Sequence, residues 1–432
     1  MSDRTWIRNA RDWRSGEPID VALESDRIAA VTKPQADASD GSVVDARGAV
    51  LAPGLVDLHV HLREPGQTSK ETIASGTRAA SAGGFTAIAC MPNTQPVVDN
   101  PAWVKWILSR AAEAGHCRVY PIAAVTVGQK GETLAELAAL ADAGAIAFSD
   151  DGHPLMSAEV MRRALEYARP LKRPVVCHEE DLTLRGRGHM NEGPTATRLG
   201  LRGIPAAAET VMVRRDVELA ELTGGRVHLA HLSCAASFAA LRDAKQRGLA
   251  VSGETCPHYW TLTDEAVAEY DTHAKMNPPL RSARDRAAVI EAIREGVVDC
   301  FTTDHAPHTL EDKRQPFDHA PFGIVGLETA LALTLTFLVE PGHLTLARAL
   351  ELWTDGPRRV FGLPEVALAP GSPADLVLFD PTQEWTVDPA RFHTLGHNTP
   401  FAGWRVRGRV LATWCGGALT HREEPALETS TS

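Results

Sequence analysis

Short apolar runs alternate with helical patterns from about residue 51 to residue 355. The runs are rich in β-branched residues, and a segment with helical periodicity follows each of them. This is the pattern of repeated βα units around a parallel sheet. We place eight strands, near 55–61, 85–91, 117–125, 145–149, 174–178, 226–231, 249–255 and 298–304. The chain is therefore predicted to be an α/β protein with a (β/α)8 barrel of the TIM type.

The segments between the strands carry helix start and stop signals. Thr68 and Glu71 have capping-box spacing before an apolar face that begins at Ile73. Gly83 and Gly84 can adopt the left-handed conformation that ends a helix. The pattern predicts an ordinary helix on the outside of the barrel.

The two ends of the chain have a different pattern. Residues 1–50 and 361–420 contain hairpin-like runs such as IDVALESDRIAAVTK and WRVRGRVLATW, with no long helical stretch between turn signals. We expect both ends to form one small β-sandwich, with the barrel of residues 51–360 inserted between them. Residues 421–432 are polar and are predicted to be a disordered tail.

Composition excludes several classes of protein. The formal net charge of -11 argues against a nucleic-acid or membrane-surface partner, since both need clustered Lys and Arg. The seven cysteines include no CxxC pair, and the N-terminus lacks an apolar secretory segment, which indicates a reducing, cytoplasmic location. The longest apolar stretch is interrupted by Glu328 and is too short to cross a bilayer. These features favour an enzyme with a small-molecule substrate.

Two histidines end the first predicted barrel strand. In LAPGLVDLHVH, His59 and His61 are two residues apart, so they share one face of the strand with Asp57. Leu58 and Val60 are expected to face the other way. Such a pair fits a divalent metal, but the pair alone fits a polar sheet face equally well.

Further candidate ligands end four other predicted strands. His178 ends RPVVCHEE, His231 ends RVHLAHLS, and Asp304 follows VVDCF, while Asp150 and Asp151 end GAIAFSDDG. The carboxyl ends of parallel barrel strands meet at one rim, where barrel enzymes carry their chemistry. Four histidines and two carboxylates fit two divalent ions, most readily zinc. Strand position alone does not choose between Asp150 and Asp151.

With these residues identified, the chain resembles the dihydroorotases of the amidohydrolase superfamily. It is most similar to the bacterial type I, which uses aspartate where relatives use a carboxylated lysine. HVHLREPG together with TTDHAPH is specific to this family, whereas either motif alone indicates only the superfamily. The resemblance covers nearly the whole chain, through DLHVHLREPG at 57–66, CMPNTQP at 90–96, AFSDDG at 147–152, CHEED at 177–181, HLAHLS at 228–233, ETCPHY at 254–259, MNPPLR at 276–281, TTDHAPH at 302–308 and PFGIVGLET at 321–329.

The resemblance implies a centre of two zinc ions, with Asp151 as the bridging ligand. One ion would be bound by His59, His61, Asp151 and Asp304. The other would be bound by Asp151, His178 and His231. The segment GAIAFSDDG contains no lysine, so a carboxylated lysine is not expected.

The resemblance also implies the reaction. Dihydroorotases cyclise N-carbamoyl-L-aspartate reversibly to (S)-dihydroorotate and water, the third step of de novo pyrimidine (UMP) biosynthesis. Zinc lowers the pKa of bound water from about 15.7 to about 7, and a hydroxide shared by two ions would be the nucleophile. Asp304 would serve as general base and acid.

Specificity requires a cation for the substrate carboxylate that does not react. Arg63 has the same strand parity as His61 and carries a planar fork that suits a carboxylate. Taken alone Arg63 fits a surface salt bridge better, but the REPG context favours the substrate. The resemblance adds further substrate contacts, of which Asn93 and Asn277 adjoin prolines and also suit turns. The implied contacts are His61, Asn93, Asn277, His308 and the backbone of Phe322 and Gly323.

A long polar loop follows the last predicted strand. Residues 305–322 are predicted to be a lid that closes over the substrate, because long loops at active sites often have this role. The resemblance also allows a homo-oligomer and a complex with aspartate transcarbamoylase, which some members of this type form.

Two alternative functions follow from the same fold. Allantoinases and dihydropyrimidinases typically lack the arginine of HLREPG and usually carry the bridging lysine. A noncatalytic barrel that serves a transcarbamoylase as a scaffold would be expected to lose metal ligands, and this chain keeps all six.

Overall fold

The structure is a computed structural model that describes residues 4–34, 41–423 and 429–431. Within these residues the chain forms two large sheets and one short two-stranded sheet. The strands in chain order are β1 (Arg4–Asp12), β2 (Pro18–Glu24), β3 (Arg27–Thr32), β4 (Ser42–Asp45), β5 (Val50–Pro53), β6 (Leu55–Val60), β7 (Phe85–Cys90), β8 (Arg118–Ala123), β9 (Ala147–Ser149), β10 (Val175–Cys177), β11 (Met190–Asn191), β12 (Gly203–Ile204), β13 (Val227–Leu229), β14 (Val251–Thr255), β15 (Cys300–Phe301), β16 (Leu376–Thr386), β17 (Arg405–Cys415), β18 (Ala418–Arg422) and β19 (Thr429–Thr431).

Eight of these strands form a parallel barrel. Neighbouring strands in the barrel follow the order of the chain: β6, β7, β8, β9, β10, β13, β14 and β15. The barrel closes where His305, just beyond β15, pairs with Val60, and the amide of His61 donates to the carbonyl of His305 over 2.8 Å. Each of the eight strands lies within its predicted range, so the (β/α)8 prediction is confirmed.

One buried apolar cluster fills the inside of the barrel. It contains side chains from six of the barrel strands together with Phe361, which comes from the last helix of the barrel. Val56 and Leu58 belong to this cluster, whereas Val60 packs in the larger cluster that includes the surrounding helices. The pairing register of β6 shifts between Asp57 and Val60, as in a β-bulge. Our prediction that Leu58 and Val60 share one face is therefore wrong, because the bulge breaks the alternation.

Helices follow the barrel strands and cover the outside of the barrel. A π-helix, Leu335–Val339, directly follows the α-helix Ala330–Thr334, and single 3₁₀ turns occur at Val127–Gln129, Asp264–Val267, Thr272–Ala274 and Pro389–Arg391. The α-helices are α1 (Ile73–Ala82), α2 (Pro101–Ala114), α3 (Leu137–Ala143), α4 (Ala158–Ala168), α5 (Leu182–Arg185), α6 (Pro194–Leu199), α7 (Ala207–Thr223), α8 (Ala235–Gln246), α9 (Pro257–Thr261), α10 (Ala283–Arg294), α11 (Leu310–Lys313), α12 (Ala330–Thr334), α13 (Leu346–Trp353) and α14 (Asp355–Phe361).

Helix α1 begins at a different cap from the predicted one. Its N-cap is Thr72, which forms a reciprocal capping box with Ser75 instead of the predicted pair Thr68 and Glu71. Glu71 is fully buried and accepts hydrogen bonds from distant groups, among them the hydroxyl of Thr394. These long-range contacts are formed only in the folded chain, so local spacing could not indicate them.

Strands from both ends of the chain form the second large sheet. It contains nine strands, and its main path runs β18, β17, β16, β5, β1, β2 and β3, with β4 beside β1 and β19 beside β4. A separate apolar core that includes Ile7, Leu51 and Trp414 packs on this sheet. The sheet lies against the barrel through Gly84, whose added Cβ would come within 2.8 Å of Val377. The prediction that the two chain ends fold together is confirmed.

The predicted disordered tail, 421–432, falls partly outside the described residues, at 424–428 and 432. Where the structure describes this segment, β18 ends at Arg422 and Thr429–Thr431 pairs with Ser42–Val44. Across the described ranges, no helix combines the length and apolar character that a membrane crossing requires.

Candidate metal centre

The carboxylate of Asp151 lies among four histidine rings at the carboxyl end of the barrel. Asp151 follows β9, and the histidines lie at the ends of β6, β10 and β13, so residues from four separate segments of the chain meet at one rim. The Asp151 oxygens lie 3.4 Å from His59 Nε2, 3.5 Å from His61 Nε2, 3.6 Å from His178 Nδ1 and 3.7 Å from His231 Nε2.

Asp304 completes this group on the side of the first strand. Its Oδ1 lies 3.1 Å from His61 Nε2 and 3.5 Å from His59 Nε2. All six predicted metal ligands are buried, with at most 8% of any of them exposed. The structure thus brings together every residue of the predicted ligand set.

The structure also distinguishes the two neighbouring aspartates. Asp150 turns away from the histidines and accepts hydrogen bonds from the amides of Val125 and Thr126 over 2.8 and 3.1 Å. The hydroxyl of Thr126 donates to its second oxygen. Asp150 therefore fixes the loop after β8, and Asp151 is the carboxylate that faces the histidine rings.

Glu254 is a part of the site that the sequence reasoning missed. It lies in β14 and is 1% exposed, and its carboxylate accepts from His59 Nδ1 and from His228 Nε2, each over 2.9 Å. The amide of His231 donates to it over 3.3 Å. The segment VSGETC is polar, so its pattern gave no apolar run that ends in a ligand. The signal from which Glu254 could have been predicted was a carboxylate on a strand whose neighbours carry two of the candidate ligands.

Opposite charges determine the protonation of the cluster. Burial opposes ionisation of Asp151, but the charge of His59 and the neighbouring ring of His178 hold the pKa of this carboxyl well below its usual value. Burial likewise opposes the charging of His178, yet the neighbouring carboxylates of Asp151 and Glu180 raise its pKa to about 10. Protons therefore compete with any divalent cation for this site, since metal ligation needs neutral imidazoles.

The donor set fits two divalent cations. The candidate ligand atoms form two groups, and within each group all of them lie within 4.8 Å of one another. One group is His59, His61 and Asp151, and the other is His178, His231 and Asp151. Two atoms at the centre, His59 Nε2 and Asp151 Oδ1, are buried and form no hydrogen bond with the described residues. Buried polar atoms normally have partners, so their convergence is the arrangement that a bound cation would satisfy.

Three residues of the site have backbone conformations that L-residues rarely adopt. The φ angles are 36° at His231, 47° at Asp304 and 58° at Arg63. Positive φ at a residue other than glycine costs of order 1–3 kcal/mol and is concentrated at functional sites. The surrounding barrel therefore imposes these conformations and directs the three side chains to the rim.

Two predicted substrate residues contact the histidines directly. Asn93 Oδ1 accepts from His61 Nδ1 over 2.9 Å, and Asn277 Nδ2 lies 3.3 Å from His178 Nε2. Asn277 also donates to Glu180 over 3.1 Å, while its own carbonyl oxygen is buried without a partner among the described residues. Asn93 therefore orients a ring of the centre, and Asn277 presents an acceptor there.

The other predicted substrate residues form a cationic group beside the centre. Arg63 is 9% exposed, and its Nε donates to the carbonyl of Pro307 over 3.2 Å. Its Nη2 lies 3.4 Å from His308 Nε2, and His308 Nε2 donates to the carbonyl of Phe322 over 2.8 Å. Arg63 is buried beside an imidazole and a carbonyl, and the alternative of a surface salt bridge does not describe it.

Lys70 belongs to the same cationic group and was not predicted. Its Nζ lies 3.3 Å from His308 Nδ1 and 3.3 Å from Asp312 Oδ2. Burial and the neighbouring charges of Arg63 and Lys313 hold the pKa of His308 far below its usual value. His308 is therefore neutral, with its Nε2 as the protonated nitrogen.

The predicted lid contains a short helix and is attached by two buried ammonium groups. Helix α11 lies within it, with a capping box between Thr309 and Asp312. Lys313 Nζ donates to the carbonyls of Thr272 and Pro321 over 3.0 and 2.8 Å. Lys275 Nζ donates to the carbonyls of Phe317 and Ala320 over 2.5 and 2.6 Å.

Solved structures of related folds match the whole chain. L-hydantoinase (dihydropyrimidinase) from Arthrobacter aurescens superposes with a TM-score of 0.88 at 24% identity, over 98% of this chain and 96% of that one. Dihydropyrimidinase from Brevibacillus agri superposes with a TM-score of 0.82 at 24% identity, over 97% and 95%. At this level of identity the likeness shows the fold alone.

Sequence comparison identifies the family. A model of the dihydro-orotase-like family matches residues 48–237, and a model of the amidohydrolase family matches residues 192–421. A dihydroorotase from Syntrophotalea carbinolica is 52% identical over 406 residues, which is 94% of this chain and 95% of the relative. A dihydroorotase from Anaeromyxobacter dehalogenans is 52% identical over 432 residues, 99% and 100% of the two chains. The chain therefore belongs to the dihydroorotase family of the amidohydrolases.

Proposed function

We propose that this enzyme cyclises N-carbamoyl-L-aspartate reversibly to (S)-dihydroorotate and water, a step of pyrimidine biosynthesis. One observation carries the proposal: the buried pair Asp151 and Asp304 lies among four imidazoles, and the charge of Arg63 acts on both carboxylates. The centre suits amide chemistry, and the neighbouring guanidinium suits a substrate that carries a carboxylate.

Two zinc ions are the cations that we assign to the centre, with Asp151 as the shared ligand and no carboxylated lysine. His59, His61 and Asp304 would complete one site, and His178 and His231 the other. When bound, such ions supply Lewis acidity and lower the pKa of water from about 15.7 to about 7.

Asp304 is the residue to which we assign proton transfer. Burial opposes its ionisation, but the charge of His59 and the hydrogen bond from His61 lower its pKa to about 2. Its carboxylate can therefore accept a proton from the attacking water in hydrolysis and donate it to the departing ring nitrogen. In cyclisation the same oxygen accepts the proton of the carbamoyl nitrogen that attacks the carboxyl carbon. It returns this proton to the carboxyl oxygen whose bond to carbon breaks, and that oxygen takes a second proton from solvent and leaves as water.

Substrate orientation is the role that we assign to the residues around the centre. The planar fork of Arg63 can bind the unreactive carboxylate in two parallel hydrogen bonds, which an ammonium group does not reproduce. Asn277 offers its unpaired carbonyl oxygen to an N–H of the ring. The backbone of Phe322 and Gly323 would contact the same carboxylate end, although the Gly323 amide already donates to the carbonyl of Lys275 over 3.0 Å.

The charge balance of the reaction gives its pH dependence. Ring closure converts a dianion into a monoanion and consumes one proton, so a lower pH favours dihydroorotate and a higher pH favours hydrolysis. This direction belongs to the reaction itself and holds for any enzyme that catalyses it.

A parallel assay tests the proposal. The purified protein, with its zinc content measured, is given dihydroorotate, hydantoin and allantoin at equal concentrations. We expect zinc-dependent turnover of dihydroorotate that exceeds turnover of the other two. Turnover of hydantoin with none of dihydroorotate would overturn the substrate assignment, since hydantoin lacks the carboxylate.

Three further properties implied by the family stay predictions. They are a cytoplasmic location, self-association and a complex with an aspartate transcarbamoylase. Size-exclusion chromatography with light scattering, alone and with the transcarbamoylase, measures the last two.

A further inference from the structure

A segment of the chain-end sheet reaches the active-site loop. Residues 393–398 belong to the connection between β16 and β17, which follows the barrel segment in the amino-acid sequence. Asn398 in this segment is 1% exposed. Nothing in the sequence pattern assigns it a role, and it lies about 90 positions from the loop that it contacts.

The side chain of Asn398 forms three hydrogen bonds with that loop. Its Oδ1 accepts from the amide of His308 over 3.0 Å. Its Nδ2 donates to the carbonyls of Ala306 and Gly323, each over 3.0 Å. One amide group therefore joins the two ends of the loop, at two of the residues assigned to the substrate.

The backbone around Asn398 is attached on its other side. The amides of His393 and Thr394 donate to Glu328 over 2.9 and 3.2 Å. The hydroxyl of Thr394 donates to buried Glu71, which also accepts from the amide of Leu395 over 3.3 Å. The segment is therefore a fixed support, not a free loop.

Two glycines allow the close packing that these bonds require. A Cβ on Gly396 would lie 2.6 Å from the Cβ of Pro307 and 2.8 Å from Asn398 Oδ1. A Cβ on Gly323, where φ is +129°, would lie 2.8 Å from the Cβ of Ala306 and 3.1 Å from His308 Nε2. Three of these distances are below 3.0 Å, which is shorter than Cβ contacts in proteins, so a larger residue would displace its neighbours.

We propose that Asn398 is a positioning residue for substrate binding, because it fixes the spacing between His308 and Gly323. The inference rests on the proposed function and on the substrate contacts that the family resemblance implies for His308 and Gly323. The site needs one acceptor and two donors in a plane, which an asparagine amide supplies. Aspartate has the same shape, but it would place a carboxylate oxygen against two carbonyl oxygens.

Asn398→Asp tests the proposal, with Asn191→Asp as a matched control. Asn191 is also buried, at 6% exposure, and donates to Asp264 over 2.9 Å, but it contacts no residue assigned to the substrate. We expect Asn398→Asp to raise the KM for dihydroorotate at least tenfold, with a smaller change in kcat and an unchanged zinc content. The control should lower stability without changing KM.

A second variant tests the proposal if Asn398→Asp does not fold. Gly396→Ala keeps Asn398 itself, but the added methyl group would displace the Oδ1 of Asn398. This variant should therefore also raise the KM. If KM stays within twofold of the parent in both folded variants, or if only kcat and zinc content fall, the positioning role is overturned. Failure of the parent protein to turn over dihydroorotate would instead refute the proposed function.

Discussion

The carboxylate of Glu254 accepts a hydrogen bond from His59 Nδ1 over 2.9 Å. When the ring is neutral, this hydrogen bond keeps the proton on Nδ1, and the lone pair of Nε2 then points toward Asp151 and Asp304. A carboxylate behind a ligating histidine fixes the tautomer and orientation of the ring. Glu254 makes the same kind of bond to His228, so it orients one ring on β6 and one on β13.

Replacing Glu254 with glutamine should weaken metal binding. The amide offers one acceptor to two imidazole N–H groups, so one of them loses its partner. Loss of such a partner typically costs 10- to 100-fold in metal affinity. Zinc affinity measured by competition with a chromophoric chelator gives the result.

Ser252→Ala is the control for this substitution. The Ser252 hydroxyl donates to His228 Nδ1 over 2.8 Å. It is therefore one hydrogen bond further from the metal centre than His228. Its loss should leave zinc affinity nearly unchanged. Equal zinc affinity in Glu254→Gln and in the parent would show that Glu254 does not orient His59.

The barrel and its rim were predictable because they follow from local periodicity. Several barrel strands end their apolar runs where the chain leaves the sheet, as before His178 and His231. Parallel strands bring these ends to one side of the sheet whatever the loops do. The candidate ligands could therefore be identified from strand ends alone, apart from the choice between Asp150 and Asp151.

The remaining features depend on contacts between distant segments. Glu71 was predicted to cap a helix locally. In the structure it is buried and accepts a hydrogen bond from Thr394, 323 positions away in the sequence. Glu254 and Asn398 obtain their partners only when the barrel closes and the chain-end sheet docks. The bulge at Asp57 to Val60 likewise depends on pairing between two strands. Such features lack a periodic pattern in the sequence.

Arg63→Lys should impair substrate binding and spare the centre. Lysine keeps the charge but loses the planar fork, so we expect KM for dihydroorotate to rise at least tenfold, about 1.4 kcal/mol of binding energy. Zinc content should match the parent, because Arg63 is not a ligand. Unchanged steady-state kinetics would remove Arg63 from the substrate site.

Asp304→Asn should impair the chemical step. Asparagine keeps the size of the side chain but cannot accept the proton, and positioned acid and base groups contribute about 10²–10⁴-fold. We therefore expect kcat to fall at least 100-fold. Measured zinc content separates this effect from loss of a ligand, and activity above a tenth of the parent value would refute the assignment.

Lys313→Met should release the loop of residues 305–322. Lys313 is 2% exposed and donates to three carbonyls, so methionine would leave buried acceptors unpaired, at about 1–3 kcal/mol each. Trypsin should then cleave after exposed Arg314 at least tenfold faster. Lys105→Met, on the exposed face of α2, is the control and should leave cleavage unchanged.

The same measurement tests the lid prediction in the parent protein. If the loop closes over the substrate, saturating dihydroorotate should slow cleavage after Arg314. Cleavage that is indifferent to ligand in the parent and in Lys313→Met would argue against a lid.

Glu328 should make stability depend on pH near neutrality. Burial raises the pKa of this carboxyl to about 8, from 4.5 in the unfolded chain, although amides of His393 and Thr394 donate to it. Between these values the folded state binds the proton and the unfolded state does not. The free energy of unfolding therefore falls as pH rises from about 4.5 to about 8, by up to about 1.4 kcal/mol per pH unit.

Glu328→Gln removes this dependence, because glutamine does not titrate. Urea unfolding of both proteins at pH 5.5, 7.0 and 8.5 should show the variant gaining stability relative to the parent as pH rises. Glu384→Gln is the control, since its pKa is lowered by a hydrogen bond from Arg407 and the group is ionised in both states over this range. A stability difference between Glu328→Gln and the parent that stays constant with pH would mean that Glu328 is already ionised in the folded protein.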